Sequence, residues 1–324
     1  MRLVFIGAVD GSHRALETLL EAGVEVARVV TLAEQYAHRH SDFCDLSPLA
    51  NSYGVPVTAV NNANEADCVA AIAKEAPDYV LVVGWSQILK SPLLAVPKLG
   101  TLGFHPTLLP QYRGRAALPW LILNGVASSG VTLFHIDEGT DSGEIAYQSG
   151  FELDAAETAT TLYAKVSEHI DRLMRALATD LVAGNAIPQI PQDDSLATYT
   201  ARRTPVDGYI DWTRNADDIW TLIRASTRPY PGAFTYHNGV RMVIWAAEYV
   251  AISNQVAMPG QVALLGPDGV LVKCGVGYVR LIEVQVGNDE PVAASAHFDK
   301  PHEKLGIPWP DAYDSWLVAV KESL

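Results

Sequence analysis

The residues DYVLVVGW (Asp78–Trp85) form the most strand-like run of the chain. Short, continuous apolar runs closed by glycine are typical of strands that are buried on both faces of a sheet. RLVFIGA (Arg2–Ala8) has the same character, and VEVARVVTL, VPVTAV and TLGFH continue the series between residues 24 and 105. Helical patterns such as HRALETLLEAG (His13–Gly23) separate these runs. Strands that alternate with helices predict parallel βαβ units and an α/β sheet with both faces covered.

The composition changes after this region. The segment IPQIPQDDSLATYTARRTP contains three prolines and few large apolar side chains, which predicts a linker over residues 189–206. A long helix is predicted before it, over about residues 159–183, because apolar residues recur there at spacings of three and four. Short strand patterns joined by glycine-containing turns follow it. We therefore predict an α/β domain over residues 1–188 and a smaller β-rich domain over residues 207–324.

Composition and charge exclude several classes of protein. With 49% hydrophobic and 19% charged residues, the 324-residue chain can bury a full core, which excludes disorder. Its 23 basic and 37 acidic residues give a net charge of −14, which argues against nucleic acid as the main partner. Cys44, Cys68 and Cys274 are widely spaced, as expected in a reducing compartment. Because no apolar run approaches the roughly 18 residues of a membrane helix, we expect a cytoplasmic protein without a membrane partner.

The densest cluster of polar residues lies between residues 84 and 143. His105 ends one predicted strand, and Asp141 follows another in HIDEGTDSGEI. Taken singly, such a histidine is more often structural and such an acidic turn is more often solvated. Ligands of open α/β sheets bind at the carboxyl ends of the strands, where these two side chains can meet. A carboxylate beside an imidazole raises its pKa and fixes its tautomer, which favours a general base.

The stretch HPTLLPQYRGRAALPWLILNG (His105–Gly125), followed by GVTLFHIDEGTDSGEI (Gly130–Ile145), resembles the signature of formyltransferases that use N10-formyltetrahydrofolate. That family includes methionyl-tRNA formyltransferase and the nucleotide-sugar N-formyltransferases. GWSQILKSPLLAVPKLG (Gly84–Gly100) resembles the folate-side loop, and RASTRPYPGAFT (Arg224–Thr235) resembles the opening of the C-terminal domain. The resemblance implies a Rossmann-like catalytic domain with a parallel sheet, followed by a smaller C-terminal β-rich, OB-like domain.

The resemblance also implies catalytic residues. The family uses Asn, His and Asp, with Asn two positions before His. His105 and Asp141 match the last two, and Gly103 stands at the Asn position. By resemblance His105 accepts the proton of the acceptor amine and Asp141 orients it. Because glycine has no side chain, three alternatives remain for the space of the Asn side chain: a water, a neighbouring side chain, or closer approach of the acceptor. We hypothesise that protonated His105, with a backbone N–H or a water, holds the formyl oxygen.

Further residues are implied for the ligands. In the family, one segment that follows a strand lines the folate pocket, and it corresponds here to Ser86, Gln87, Ile88 and Leu89. One loop closes the pocket, and it corresponds here to Ile136, Asp137 and Glu138. On the acceptor side, an Arg-Gly-Arg turn suits a phosphate or carboxylate, so we expect Arg113, Arg115 and Trp120 to bind the acceptor. The loop HRHSDFCD (residues 38–45) lacks any established zinc spacing. We expect no metal, and assign this loop to substrate contact or to solvent.

The identity of the acceptor amine is the harder question. The low content of basic residues and the Trp in RGRAALPW favour a nucleotide-linked amino sugar over a tRNA. Methionyl-tRNA, another small amine such as hydroxyornithine, and water as the formyl acceptor remain alternatives. A non-catalytic folate-binding protein is the alternative from a different class. The sequence does not identify the amino sugar, the nucleotide base or the position of the amine on the sugar. It also leaves the oligomeric state open, and a homodimer is one of the alternatives.

Overall fold

The computed structural model describes residues 1–306. The chain divides into two compact units, one of residues 1–155 and 161–202 and the other of residues 156–160 and the chain from residue 203. The elements up to residue 202 are β1 (Arg2–Ile6), α1 (Asp10–Glu21), β2 (Glu25–Leu32), α2 (Ser47–Ser52), β3 (Val57–Val60), α3 (Ala66–Lys74), β4 (Tyr79–Val82), α4 (Ser91–Leu94), β5 (Gly100–His105), β6 (Arg113–Gly114), α5 (Ala117–Leu123), β7 (Ser128–His135), β8 (Ile145–Glu152), α6 (Ala159–Ala183) and β9 (Tyr199–Thr200).

The main sheet of the first unit has the strand order β3-β2-β1-β4-β5-β7-β8. Neighbours from β3 to β5 are parallel, which confirms the predicted parallel sheet for five strands. β7 is antiparallel to β5, and β8 is antiparallel to β7. The loop between β7 and β8 is shorter than the dozen or more residues that a parallel crossover needs, so these two strands form a hairpin-like pair.

Helix α6 buries the apolar face that its spacing predicts. Its buried residues at spacings of four and three are Leu162, Val166, Ile170, Leu173, Leu177 and Leu181. The central strands bury nearly all of their side chains, because helices cover both faces of a parallel sheet. Within residues 1–306, no helix has both the length and the apolar composition that spanning a membrane needs.

The strand register brings two segments of the predicted site together. Val82, the last residue of β4, pairs with Gly103 in β5, so the segment after β4 leaves the sheet beside His105. β7 runs in the opposite direction, and its Thr132, rather than its last residue, pairs with His105. The loop after β7 therefore has to fold back along β5 to bring Asp141 to His105.

The second unit is rich in β-strands, as predicted. Its elements are α7 (Ala216–Ser226), β10 (Ala233–His237), β11 (Val240–Val250), β12 (Val262–Gly266), β13 (Gly269–Lys273), β14 (Tyr278–Val286), β15 (Val292–Ala293) and α8 (Ala294–His297). The strands form one antiparallel sheet in the order β10-β11-β14-β13-β12, with β15 paired to β14. Trp212, Ile219 and Met242 belong to its buried core.

The segment predicted as a linker, residues 189–206, is part of the first unit as far as residue 202. Its strand β9 pairs with β6, directly after the turn that follows His105. The segment packs through polar contacts, with the side chains of Gln192 and Asp194 bound to Arg113. Its few apolar residues gave no indication of this packing.

Candidate functional site

His105 is held at the end of β5 with a defined tautomer. The residue is 5% exposed, and its Nε2 lies 2.7 Å from the backbone oxygen of Tyr112. A carbonyl oxygen only accepts hydrogen bonds, so we assign the proton of the neutral ring to Nε2. Nδ1 is then the nitrogen with a free electron pair.

Asp141 faces that nitrogen. Its Oδ2 lies 3.5 Å from Nδ1 of His105 and accepts a hydrogen bond of 2.8 Å from the backbone N–H of Gly114. While Nδ1 carries no proton, both atoms are acceptors, so the two groups are in contact without a hydrogen bond, and one can form only when Nδ1 takes up a proton. Asp141 has φ of 51°, a left-handed conformation that aspartate tolerates better than most residues. The side-chain amide of Gln192 donates to the backbone oxygen of Asp141 at 2.9 Å and fixes this conformation.

Burial lowers the pKa of His105 below its ordinary value and outweighs Asp141 and the carbonyl of Tyr112, which both raise it. This net direction corrects our expectation that the carboxylate raises the pKa overall. The physical reason is that removing the imidazolium from water costs more than one carboxylate at 3.5 Å returns. His105 is therefore neutral at pH 7, which is the form that a base requires. The ring of the free protein is not the protonated form that we hypothesised as the donor to the formyl oxygen.

Arg113 is buried and its guanidinium is fully engaged by neighbouring side chains, which is contrary to the expectation that it is free to bind the acceptor. Its side chain is 1% exposed, and the guanidinium binds Asp194 at 2.7 Å, Tyr199 at 3.0 Å and Gln192 at 2.8 Å. A buried guanidinium with these partners organises the loop around it. Because Gln192 also binds the backbone of Asp141, Arg113 and Gln192 together position the carboxylate. No local pattern indicated Gln192, which lies 51 residues from Asp141 in sequence.

Arg115, in contrast, is exposed, and its Nη2 lies 3.5 Å from the backbone oxygen of Ser86. Nε2 of His40 lies 3.3 Å from Oγ of the same serine. Burial lowers the pKa of His40, Asp42 opposes this, and the charges of Arg115 and Arg39 lower the pKa further. The structure thus brings the loop around His40 to the edge of the candidate site. We call Arg39, His40 and Arg115 the basic edge.

The segment predicted to contact folate is fixed by the loop after β3. The side chain of Gln87 accepts from the backbone N–H of Ala63 and donates to the backbone oxygen of Asn61 at 2.7 Å. Asn64 donates to the backbone oxygen of Ile88 at 2.9 Å. These contacts come from a polar loop that the sequence reasoning did not connect to the site. They give the segment after β4 a fixed shape.

The other predicted folate contacts differ in their exposure. In the segment after β4, Leu89 is buried, whereas Ile88 is 87% exposed. In the loop after β7, Ile136 is half-buried, and Asp137 and Glu138 are exposed. The carboxylate of Asp137 accepts from the backbone N–H of Gly139 at 2.9 Å and so stabilises the turn itself.

The place of the family Asn is filled by apolar atoms. A Cβ at Gly103 would lie 2.8 and 2.9 Å from side-chain carbons of Ile136 and 3.0 Å from Cε1 of Phe134. Of the alternatives considered from the sequence, a neighbouring side chain is therefore the one observed. Apolar side-chain carbons of Ile136 and Phe134 thus occupy the space beside Gly103 into which a Cβ would extend.

We expect Gly103→Ala to lower the free energy of unfolding by about 1–3 kcal/mol, because the added methyl overpacks against Ile136. Urea unfolding of the purified variant measures this loss. In Gly103→Ala combined with Ile136→Val, part of the stability should return. The matched control is Gly150→Ala in β8, where a Cβ would meet its neighbours at 3.6 and 3.9 Å, an ordinary contact distance. Equal losses in the two single variants would contradict the packing argument.

A cavity of about 660 Å³ lies on the other side of the turn that binds His105. Its walls are residues 111, 112, 120, 124, 126 and 198–201, so Tyr112 both lines the cavity and contacts the imidazole of His105. Trp120 lines it too and donates from Nε1 to the backbone oxygen of Ala201 at 2.9 Å. Within residues 1–306, no group of His, Cys, Asp and Glu side chains is arranged to hold a metal ion.

Several proteins of known structure share this architecture. An N-formyltransferase from Helicobacter canadensis, in complex with folinic acid and dTDP-3-aminofucose, is 18% identical with a TM-score of 0.61 over 86% of this chain and 98% of that one. A methionyl-tRNA formyltransferase from Clostridium thermocellum is 19% identical with a TM-score of 0.54 over 78% and 94%. A variant of HypX from Aquifex aeolicus is 20% identical with a TM-score of 0.66 over 92% of this chain. The present chain spans 46% of the length of that protein.

At this level of identity, these structures establish the fold alone. The family models are more specific. Residues 1–177 match the model of the formyl transferase domain, and residues 203–301 match that of the formyl transferase C-terminal domain. The first match covers more than half of the chain and includes His105, Gly114 and Asp141, whose geometry is described above. The chain therefore belongs to the formyl transferase family.

Proposed function

We propose that this protein transfers the formyl group of N10-formyltetrahydrofolate to the amine of a nucleotide-linked amino sugar. The observation that carries the proposal is the pair of His105 and Asp141. The imidazole is neutral, Nε2 is committed to the oxygen of Tyr112, and Nδ1 faces a carboxylate. An amine that becomes an amide must lose a proton, and Nδ1 of His105 is the acceptor that we propose for it.

The chemical step requires little of the protein besides this pair and positioning. As the amine nitrogen forms its bond to the formyl carbon, its proton moves to Nδ1 of His105. When the bond between that carbon and N10 of the folate breaks, the proton passes to N10. Asp141 stabilises the transient imidazolium, since its oxygen lies 3.5 Å from Nδ1. Holding both substrates in one cleft supplies much of the remaining rate enhancement.

Two features support an acceptor with phosphate groups. The basic edge carries Arg39 and Arg115, and neither forms an ion pair with a carboxylate in the described part of the chain. Arg115 contacts a backbone carbonyl, and Arg39 contacts a backbone carbonyl and the ring of Tyr36, at 4.4 Å from its centroid. Guanidinium groups without a carboxylate partner can bind phosphate oxygens in bidentate fashion. The cavity beside Tyr112 is lined by aromatic and amide side chains, which suit a sugar or a base. The Helicobacter canadensis enzyme, with its bound sugar nucleotide, offers a precedent in this fold.

The test is a panel of acceptors assayed with N10-formyltetrahydrofolate. For each acceptor, we would measure the release of tetrahydrofolate and the mass of the product. The acceptors are nucleotide-linked 3-amino and 4-amino sugars, methionyl-tRNA, hydroxyornithine and water alone. We expect formylation of at least one amino-sugar nucleotide and none of methionyl-tRNA. Formylation of methionyl-tRNA with a steep dependence on salt would replace the sugar proposal, since phosphate contacts confer that dependence. Release of formate without any formylated amine would identify a hydrolase.

We expect Arg115→Gln to raise KM for the sugar nucleotide about tenfold, which corresponds to about 1.4 kcal/mol, because one charged contact with phosphate is lost. The KM for the folate and the value of kcat should change little. Steady-state kinetics with each substrate varied in turn provide the KM of each substrate and kcat. The control is Arg172→Gln, an exposed arginine of α6 that pairs with Glu168. A rise in KM for the folate instead would place Arg115 on the other substrate.

A further inference from the structure

Trp85 carries a polar group without a partner. Its indole Nε1 is buried, and within residues 1–306 nothing accepts a hydrogen bond from it. The four other tryptophans of this range all donate from Nε1, at 2.9–3.0 Å, and their acceptors are the backbone oxygens of Ala201 and Ala247 and the side chains of Thr235 and Gln285. Buried donors in folded proteins are nearly always paired. Trp85 is one of a few residues of this range with a buried side-chain nitrogen or oxygen that lacks a hydrogen-bond partner, and the one tryptophan among them, so its N–H calls for a physical explanation.

Packing places Trp85 on the face of the sheet that carries the candidate site. Trp85 and Ile136 are both partly buried, and both pack against the buried cluster that contains Val82. Val82 pairs with Gly103, and side chains of paired residues share a face of the sheet. His105 lies two residues beyond Gly103 and points to the same face. The unpaired indole N–H, the position of the missing Asn and the catalytic imidazole thus lie on one side of the sheet.

We propose that the indole N–H of Trp85 donates a hydrogen bond to a carbonyl oxygen of the folate co-substrate. This inference rests on the proposed function in one respect, namely that the ligand is a folate. Trp85 directly precedes the segment that the family resemblance assigns to folate. The ligand has three carbonyl oxygens, of which the formyl oxygen and the ring carbonyl lie toward its pterin end and the benzoyl amide oxygen lies farther along. Because the resemblance assigns the segment after Trp85 to the pterin pocket, the first two are the candidates. Because the indole nitrogen is shielded from solvent, a ligand oxygen reaching it meets little competition from water.

A direct test is the indole N–H resonance of Trp85 in the full-length protein, measured by NMR and assigned with Trp85→Phe. The probes are 5,8-dideazafolate and its 10-formyl derivative, which share the ring carbonyl and differ in the formyl group. We expect a downfield shift of the Trp85 proton when the formylated probe saturates the protein. The same shift with both probes identifies the ring carbonyl, and a shift with the formylated probe alone identifies the formyl oxygen. The resonance of Trp220, whose N–H already binds a backbone oxygen, should not move.

Trp85→Phe supplies the second measurement, because it removes the N–H and keeps an aromatic ring. If the acceptor is the ring carbonyl, Kd for both probes rises about tenfold, as one lost hydrogen bond predicts. If it is the formyl oxygen, kcat falls on the order of 10²-fold, as loss of one oxyanion donor predicts, while Kd for the unformylated probe is unchanged.

The outcomes separate this inference from the proposed function. Saturable binding of both probes without movement of the Trp85 resonance, and with unchanged Kd and kcat in Trp85→Phe, overturns the inference alone. Absence of any binding by either probe overturns the proposed function, and the role of Trp85 with it.

Discussion

His105→Ala is expected to lower kcat/KM for formyl transfer by about 10²–10⁴-fold, the range for loss of a general base. The loss should appear with any acceptor amine, because every amine must give up its proton to Nδ1. His105→Gln is the companion variant, since its amide can still donate to the oxygen of Tyr112 and maintain the turn. Both variants should show the circular dichroism of the parent, and steady-state rates measure the effect.

The matched control is His135→Gln. His135 is also a strand-end histidine whose Nε2 lies within hydrogen-bond distance of a backbone oxygen, that of Pro188 at 2.9 Å, but it makes no contact with Asp141. Transfer rates in this variant should stay within about threefold of the parent. Near-parental turnover in His105→Gln and His105→Ala would remove the imidazole from the mechanism.

Asp141→Asn is expected to lower kcat on the order of 10²-fold or more. Two opposite charges about 4 Å apart near a protein surface attract by about 4 kcal/mol, which exceeds the roughly 2.7 kcal/mol that a 10²-fold loss requires. The pH profile gives an independent readout. Because burial lowers the pKa of His105, the acid limb of kcat/KM in the parent should lie below pH 6.5, the ordinary pKa of histidine. Asp141 raises that pKa, so its neutralisation should move the acid limb to still lower pH.

Glu168→Gln is the control for this prediction, because Glu168 is an exposed carboxylate that pairs with Arg172 on α6. Its rate and its acid limb should match those of the parent. An acid limb that moves to higher pH in Asp141→Asn would contradict the assigned sign of the interaction. A limb that does not move would show that Asp141 and His105 titrate independently.

Much of the fold follows from local patterns. The apolar runs at β1, β2 and β4 predict buried parallel strands, because such strands need apolar side chains on both faces. The spacing of Leu162, Val166 and Ile170 predicts the buried face of α6. The direction of β7 could not be predicted in the same way. Its sequence, GVTLFHI, suits a strand of either direction, and direction depends on the path of the chain through the turn after His105.

Those candidate-site residues could be predicted whose residue type alone indicates a chemical role. Residues whose role depends on their tertiary contacts could not be predicted. His105 and Asp141 stand out as a base and a carboxylate next to strands. Arg113 has the same sequence appearance as Arg115, yet burial commits it to Gln192 and Asp194. The sequence likewise does not predict the unpaired N–H of Trp85, because that depends on whether the folded chain has an acceptor within hydrogen-bond distance of Nε1.

The most direct test of the account is the protonation state of His105, measured by nitrogen-15 NMR of histidine-labelled protein at pH 7.5 and assigned with His105→Gln. Nitrogen shifts distinguish a protonated ring nitrogen from one with a free electron pair. The account predicts a neutral ring with the proton on Nε2 and a bare Nδ1, held by the hydrogen bond to Tyr112. A proton on Nδ1, or a ring that is an imidazolium at this pH, would contradict the assignment of His105 as the base that receives the amine proton.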